Sequence, residues 1–495
     1  MLANVISSFV GCRSRRTGEY LPADSKKSER MRVSITTKAI GLCLSVFAFA
    51  AAGFAQPAPF LQDIKVVSPT PTPAVRPVDP LVKKTGSAST TAASAVPAAS
   101  SVRTNFPALA EVSIPGYTGI LIETLDGKTV LESNSGLLFN PASNVKVATA
   151  YAVLKTFGPE FRFATNIYTD GAIDRSTATL IGNLYISGRD PMFGYEHAVT
   201  LASELNRLGI RSITGDLVVT DNFAMNYNGS AMRSAEMLHD ALNSATRSAA
   251  ATKVWLMFLQ NSGRMSSVAS NPSVSFTGGS YVQPIPSSLT HLFTHESAPM
   301  REIIKATLCY SNNFLAERLG DMLGGPYAVA RLVQQNAAVP ANEFSIQTAS
   351  GLGYNRVTPN AMMSILRALR SDLARYRMTF SDIMPVAGVD KGTLESRFAS
   401  DFAAGSVVGK TGTLGVTDSG VSALAGEMNT RNGRLLFVIF NQRGNVPRFR
   451  SFQNNFVSLV QSQFGGPATL EYQATSLDAR LARTRIINAV GQVIY

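Results

Sequence analysis

The chain has 495 residues, 45% of them hydrophobic, with three cysteines and a formal net charge of +12. That is too apolar for a disordered protein and too poor in cysteine for a disulfide scaffold, and it leaves room for two or three domains around a large core. The charge is not a nucleic-acid footprint. Residues 1–55 carry eight basic and three acidic residues and residues 56–105 five and two, so only +4 remains for residues 106–495, with no dense basic run.

From Met31 the chain reads as an export signal. Arg32 and Lys38 form a basic start, Ala39 to Phe54 an apolar run, and Gly53-Phe54-Ala55 a small-x-small cleavage site. The run of 16 residues falls short of the ~20 that a spanning helix needs. Residues 1–55 are therefore expected to be a leader, with translation starting at Met31; an uncleaved anchor is the alternative. Loss of Cys12 and Cys43 with the leader would leave Cys309 alone, which excludes an internal disulfide and a cysteine metal set. His291 and His295 lie four apart but lack the Glu that follows the first His in zinc peptidases. No metal and no cofactor is expected. Residues 56–105, loaded with Pro, Ser, Thr and Ala, read as a tether.

Regular structure is expected from about Ile114. Two strands flank an Asp126-Gly127 turn, a hairpin signal. A helix follows Pro141 and stops at Gly158-Pro159. From 168 to 290 the pattern shifts to β-like runs (TATLIGNLYISG, ITGDLVVTD) separated by a helical stretch, HAVTLASELNRLG, before a weakly patterned Ser- and Met-rich piece. Helices return with APMREIIKATLCY and FLAERLGDML, capped by Gly324-Gly325, and strands close the chain: SVVGKTGTL, then GVSALAGEM and LLFVIF joined at Asn432-Gly433. This order predicts an α+β fold: a discontinuous main domain, 106–167 and 291–495, interrupted by an inserted β-rich domain, 168–290.

Three short motifs carry chemistry. In Ser143-Asn144-Val145-Lys146 a helix start places the lysine amine within reach of the serine hydroxyl. A partly desolvated lysine can take that proton, and the helix N-terminus offers N–H groups to a forming oxyanion. Ser311-Asn312-Asn313 falls between two helical runs. Lys410-Thr411-Gly412-Thr413 falls on a strand, where Gly412 leaves room for a substrate backbone and Lys410 can bind a carboxylate or tune a neighbouring proton.

S-x-x-K, S-x-N and K-T-G in this order resemble the signature of penicillin-binding proteins and serine β-lactamases. The blocks GNLYISGRDP, THESAPMREIIKATLCYSNNFLAERL, ASGLGYNRVTP and MPVAGVDKGTLESRF narrow the resemblance to the class C, low-molecular-mass penicillin-binding proteins, D-alanyl-D-alanine carboxypeptidases/endopeptidases of peptidase family S13. The stretch 229–285 departs from that pattern, as does Gln347-Thr348, where an acidic residue is common. The resemblance implies a transpeptidase-like fold, an antiparallel sheet flanked by helices, in an exported, periplasmic enzyme. Ser143 is then the nucleophile on peptidoglycan stem peptides, Lys146 its base, and the N–H groups of Ser143 and Thr413 the oxyanion hole. Ser311 relays a proton, Asn313 holds the substrate amide, and Lys410 with Thr411 binds the terminal carboxylate. β-Lactams are the implied covalent inhibitors, and the leader leaves room for peripheral membrane association. Asp190 and Tyr195 in GRDPMFGY match positions that grip the stem-peptide side chain, with Asp190 expected to point outward from a turn. A serine β-lactamase or esterase is the alternative, although no loop carries the deacylating Glu of class A lactamases. A non-catalytic cell-wall binding domain would have lost the nucleophile or the lysine, and both are present.

Overall fold

The computed structural model describes residues 102–265, 271–400 and 402–494; the expected export leader and nearly all of the expected tether lie outside the described residues. Regular structure begins earlier than expected, with a two-residue strand, Arg103–Thr104, and a short helix, Pro107–Ala110.

The first sheet has six antiparallel strands in the order Arg103–Thr104, Thr129–Ser133, Tyr117–Thr124, Gly433–Gln442, Val421–Thr430, Val407–Leu414. Both expected hairpins form. The first turns at Asp126-Gly127, where Gly127 has φ of +88° and donates its N–H to the Thr124 carbonyl. The second turns one residue earlier than expected, on Arg431-Asn432, because Thr430 already pairs with Gly433.

Helices cover both faces. The expected helix after Pro141 runs Val145–Phe157, and its residues from Val145 to Leu154 are all buried, so it is a central core helix rather than an amphipathic one. It packs with Met300–Cys309, Pro326–Asn336 and Pro359–Arg375 in an apolar cluster against Leu121, Val438 and Phe440 of the sheet. On the other face Ile120, Leu424 and Ile439 meet Phe456, Val457 and Val460 of the long helix Val446–Gln463.

A second six-stranded sheet runs Ser280–Val282, Leu217–Val219, Leu184–Gly188, Ala164–Thr169, Thr290–Glu296, Arg485–Asn488, beside a small four-stranded sheet. Its strands straddle the expected 168–290 boundaries, and its last strand comes from the chain's end, pairing Phe293 with Asn488. The weakly patterned piece contains two helices, Ala231–Leu242 and Ala249–Ser262, capped by the Ser230 and Ser248 hydroxyls. Ala235, Leu238 and Leu242 of the first bury against this sheet's core. No helix among the described residues is long and apolar enough to cross a membrane.

Candidate active site

Ser143 sits in a single 3-10 turn, Ala142–Asn144, that feeds the central helix. Ala142 is held at φ of 47°, a conformation unfavourable for a non-glycine residue, and donates its N–H to Asn140 Oδ1 at 3.0 Å. Lys146 follows one turn on and is buried. Its Nζ lies 3.1 Å from Ser143 Oγ, 2.7 Å from Asn313 Oδ1 and 2.6 Å from the Ser350 carbonyl. Two of these partners can only accept. A neutral amine spends its two N–H groups on them and turns its lone pair to the Ser143 hydroxyl proton. Burial lowers the Lys146 pKa to about 7, opposed by the negative charge of Glu317, so the neutral form is accessible near neutrality.

Ser311 occupies the break between Met300–Cys309 and Asn313–Asp321, with φ of 53°. Asn312 caps the second helix by accepting the Leu315 N–H, which sets Asn313 at its first turn, facing Lys146. Lys410 is fully buried, and its Nζ donates to Ser311 Oγ at 2.9 Å and to the Thr411 carbonyl at 2.7 Å. Burial, with the Lys146 charge adding to it, holds Lys410 well below the usual lysine range.

The strand Val407–Leu414 is an edge of the first sheet. At its start the Gly409 N–H donates outward to the Pro385 carbonyl and the Val407 carbonyl accepts from Ala387. Alternation along the strand turns the N–H groups of Thr411 and Thr413 to the same outer edge. Gly412 has a different reason from the one expected. A Cβ there would stand 2.5 Å from the Pro141 carbonyl oxygen and 3.1 Å from Ala142 Cβ, so the missing side chain admits the nucleophile's own turn. Thr413 is exposed at the strand's end, and its Oγ1 accepts from Arg450 at 2.9 Å.

Residues that the motifs do not reveal complete the site. Asn140 donates to the Gly353 carbonyl and to Asp418 Oδ2, and Arg356 pairs with the same Asp418 carboxylate, which ties the nucleophile turn to the 350–356 and 415–420 loops. Gly351 passes beneath Ala142, where a Cβ would lie 2.0 Å from the Ala142 carbonyl oxygen. Gln347, at the position that departs from the family pattern, accepts the Tyr354 N–H and so closes the same loop without a carboxylate.

Asp190 corrects the sequence reading. Its carboxylate points inward: Oδ1 accepts the Met192 N–H at 2.9 Å, Oδ2 is buried without a hydrogen-bond partner, and burial raises its pKa to about 6 against the pull of nearby His197. Tyr195 starts the helix Tyr195–Arg207, half-buried against the second sheet's core. Contact with the active-site helices comes instead from Tyr227, edge-on to Phe314 beside Asn313, with ring centroids 5.9 Å apart. His291 and His295 lie on a strand, and His295 is buried against His197 at a centroid distance of 4.8 Å. No group of three or more His, Cys, Asp or Glu among the described residues could hold a metal ion.

This arrangement matches known proteins over most of its length. The sequence profile of the D-Ala-D-Ala carboxypeptidase 3 (S13) family matches residues 108–275 and 271–461. A D-alanyl-D-alanine carboxypeptidase from Actinomadura sp. (strain R39) is 24% identical over 426 residues, 66% of this chain and 78% of that protein. Among solved structures, a predatory peptidoglycan endopeptidase from Bdellovibrio bacteriovorus superposes with a TM-score of 0.62 at 24% identity, over 73% of this chain and 96% of that one. Penicillin-binding protein 4 from Haemophilus influenzae superposes at 0.52 with 22% identity, over 72% and 98%. The fold is that of the penicillin-binding proteins, and the chain belongs to the D-Ala-D-Ala carboxypeptidase 3 (S13) family of serine peptidases.

Proposed function

We propose that the chain is a serine D-alanyl-D-alanine carboxypeptidase and endopeptidase that cleaves peptidoglycan stem peptides through an acyl-enzyme on Ser143. The observation that carries this reading is the Ser143–Lys146 pair at 3.1 Å, with both lysine N–H groups taken by acceptors and its pKa lowered to about 7. Neutral Lys146 takes the hydroxyl proton as Ser143 Oγ attacks the carbonyl between two D-alanines. The oxyanion forms against the N–H groups of Ser143 and Thr413, each worth roughly 3–4 kcal/mol in comparable sites. Ser311, bonded to Lys410, hands a proton to the leaving amine. Full burial of Lys410 favours this role in tuning Ser311 over direct carboxylate binding, which falls to Thr411 and Thr413 at the exposed edge. Water then hydrolyses the ester. A β-lactam presents the same carbonyl and leaves its acyl group on Ser143.

A substrate peptide fits this site by lying as an added strand along the outer edge of Val407–Leu414 beyond Gly409, where the N–H groups of Thr411 and Thr413 point outward. The leader at residues 31–55 favours export to the periplasm, where such peptides are found. Digestion of purified muropeptides tests the activity. Release of terminal D-alanine, or cleavage of cross-linked dimers, blocked by prior benzylpenicillin treatment is expected; rapid penicillin turnover with intact muropeptides would instead mark a β-lactamase.

A further inference from the structure

Lys146 is the base, yet the group that fixes its third contact is a piece of backbone. Ala349 and Ser350 form a short segment gripped from two sides. From the central helix, Thr149 Oγ1 donates to the Ala349 carbonyl at 2.7 Å and Lys146 Nζ to the Ser350 carbonyl at 2.6 Å. From the opposite side both amides of the segment point at one carboxylate: the Ala349 N–H donates to Glu317 Oε2 at 3.1 Å and the Ser350 N–H to Glu317 Oε1 at 2.9 Å. Glu317 stands four residues after Asn313 on the helix Asn313–Asp321, so the two project from one face. Asn313 touches Lys146 directly, and Glu317 reaches it through two peptide units.

We propose that Glu317 is a positioning residue for acyl transfer: its carboxylate clamps the Ala349-Ser350 amides so that the Ser350 carbonyl aims the Lys146 amine at Ser143, and its negative charge faces that amine across the clamped segment. This assignment rests on the acyl-transfer reading of Ser143. Two charge-assisted bonds to one acceptor hold both amides of the segment; the Ser350 N–H lies in the peptide unit whose Ala349 carbonyl receives Thr149, so the residue whose own carbonyl receives the lysine is fixed from both sides. The titratable groups facing Lys146 are Glu317 from this helix, whose charge favours the protonated lysine, and Lys410 from the edge strand, whose own protonated form the Lys146 charge disfavours.

The test is the pH profile of Ser143 acylation by a fluorescent penicillin between pH 5 and 9, in the wild type, Glu317→Gln and Glu317→Asp. In Glu317→Gln one amide keeps an acceptor, the other meets an N–H₂ group, and the charge is gone. The plateau rate should fall by about tenfold, and the acid limb should move down by about one pH unit, because loss of a nearby anion disfavours the charged lysine. Glu317→Asp keeps the charge but shortens the reach, so its plateau should fall while its limb stays near the wild-type position. In Glu317→Gln, a lowered plateau with the acid limb left in place would mark a clamp with only a structural role and would overturn the assignment. If Glu317→Gln gives no cooperative melt, Glu317→Ala, which also removes the charge, decides: an acid limb moved down supports the assignment and an unmoved limb overturns it. Absence of labelling in the wild type would overturn the acyl-transfer reading itself, and the assignment with it.

Discussion

Replacing Gly412 by alanine tests how the edge strand and the nucleophile turn are joined. The added Cβ would stand 2.5 Å from the Pro141 carbonyl oxygen, 3.0 Å from Ala423 Cβ and 3.1 Å from Ala142 Cβ. The first contact is roughly 1 Å short of ordinary van der Waals separation. Ala423 belongs to a buried central strand and cannot retreat, so the turn carrying Ser143 must move off the strand. Overpacking of this kind costs about 1–3 kcal/mol of stability. The larger effect falls on rate. The Thr413 N–H rides on the strand and Ser143 on the turn, and a misplacement of about 1 Å between reacting groups costs on the order of 10²-fold. Gly415→Ala is the matched control, since nothing lies within 4 Å of a Cβ there. Stopped-flow acylation by a small β-lactam, beside thermal melts, should show Gly412→Ala slowed by about 10²-fold and Gly415→Ala near wild type. Were the glycine needed only for a long peptide to pass, Gly412→Ala would acylate normally with the small ligand and fail with the peptide. That result would refute the packing argument.

Three further outcomes follow from the electrostatics. Because Lys146 acts when neutral and its pKa is about 7, acylation should fall by about tenfold per pH unit below that value and level off above it; a flat profile from pH 5 to 9 contradicts its role as base. Lys410→Ala should slow thioester substrates with and without a terminal carboxylate alike, by about 10²–10⁴-fold, and a loss confined to the carboxylate-bearing ones would restore Lys410 as the anchor. The Asp190 pKa is raised from 3.8 to about 6, so its contribution to stability is present below pH 4 and lost as pH rises through 6. Asp190→Asn should therefore raise stability by up to about 3 kcal/mol at pH 7.5 and little at pH 4, measured by denaturant melts; equal effects at both would show that the carboxylate is not a buried charge.

The chemistry-bearing motifs are legible because each puts its reactive groups within a few residues of one another. Ser143 and Lys146 share a helix face, and the structure holds them within hydrogen-bond reach. The Ser311 break and the K-T-G strand can be placed for the same reason, as can hairpins announced by their turn residues. What escapes depends on partners distant in sequence. Ala231–Leu242 reads as weakly patterned because its apolar residues gain meaning only against the second sheet, whose outer strand arrives from Arg485–Asn488, and Ala249–Ser262 because Trp255, Phe258 and Leu259 gain theirs only against Val199 of Tyr195–Arg207 and Ala482. The Asp190-Pro191 turn predicts an outward carboxylate, but the Met192 N–H folds it back inside. The Ser350 carbonyl and the Pro141 carbonyl carry no side-chain signature at all. Glu317 leaves a faint one in its spacing of four from Asn313.

The central claim is that Ser143 becomes acylated. Peptide mapping by mass spectrometry after benzylpenicillin treatment, in the wild type and in Ser143→Ala, tests it most directly. A single adduct on the wild-type peptide containing Ser143, and none in a Ser143→Ala protein with an unchanged melt, is the expected result. An adduct on any other residue, or labelling that survives the substitution, would contradict the account.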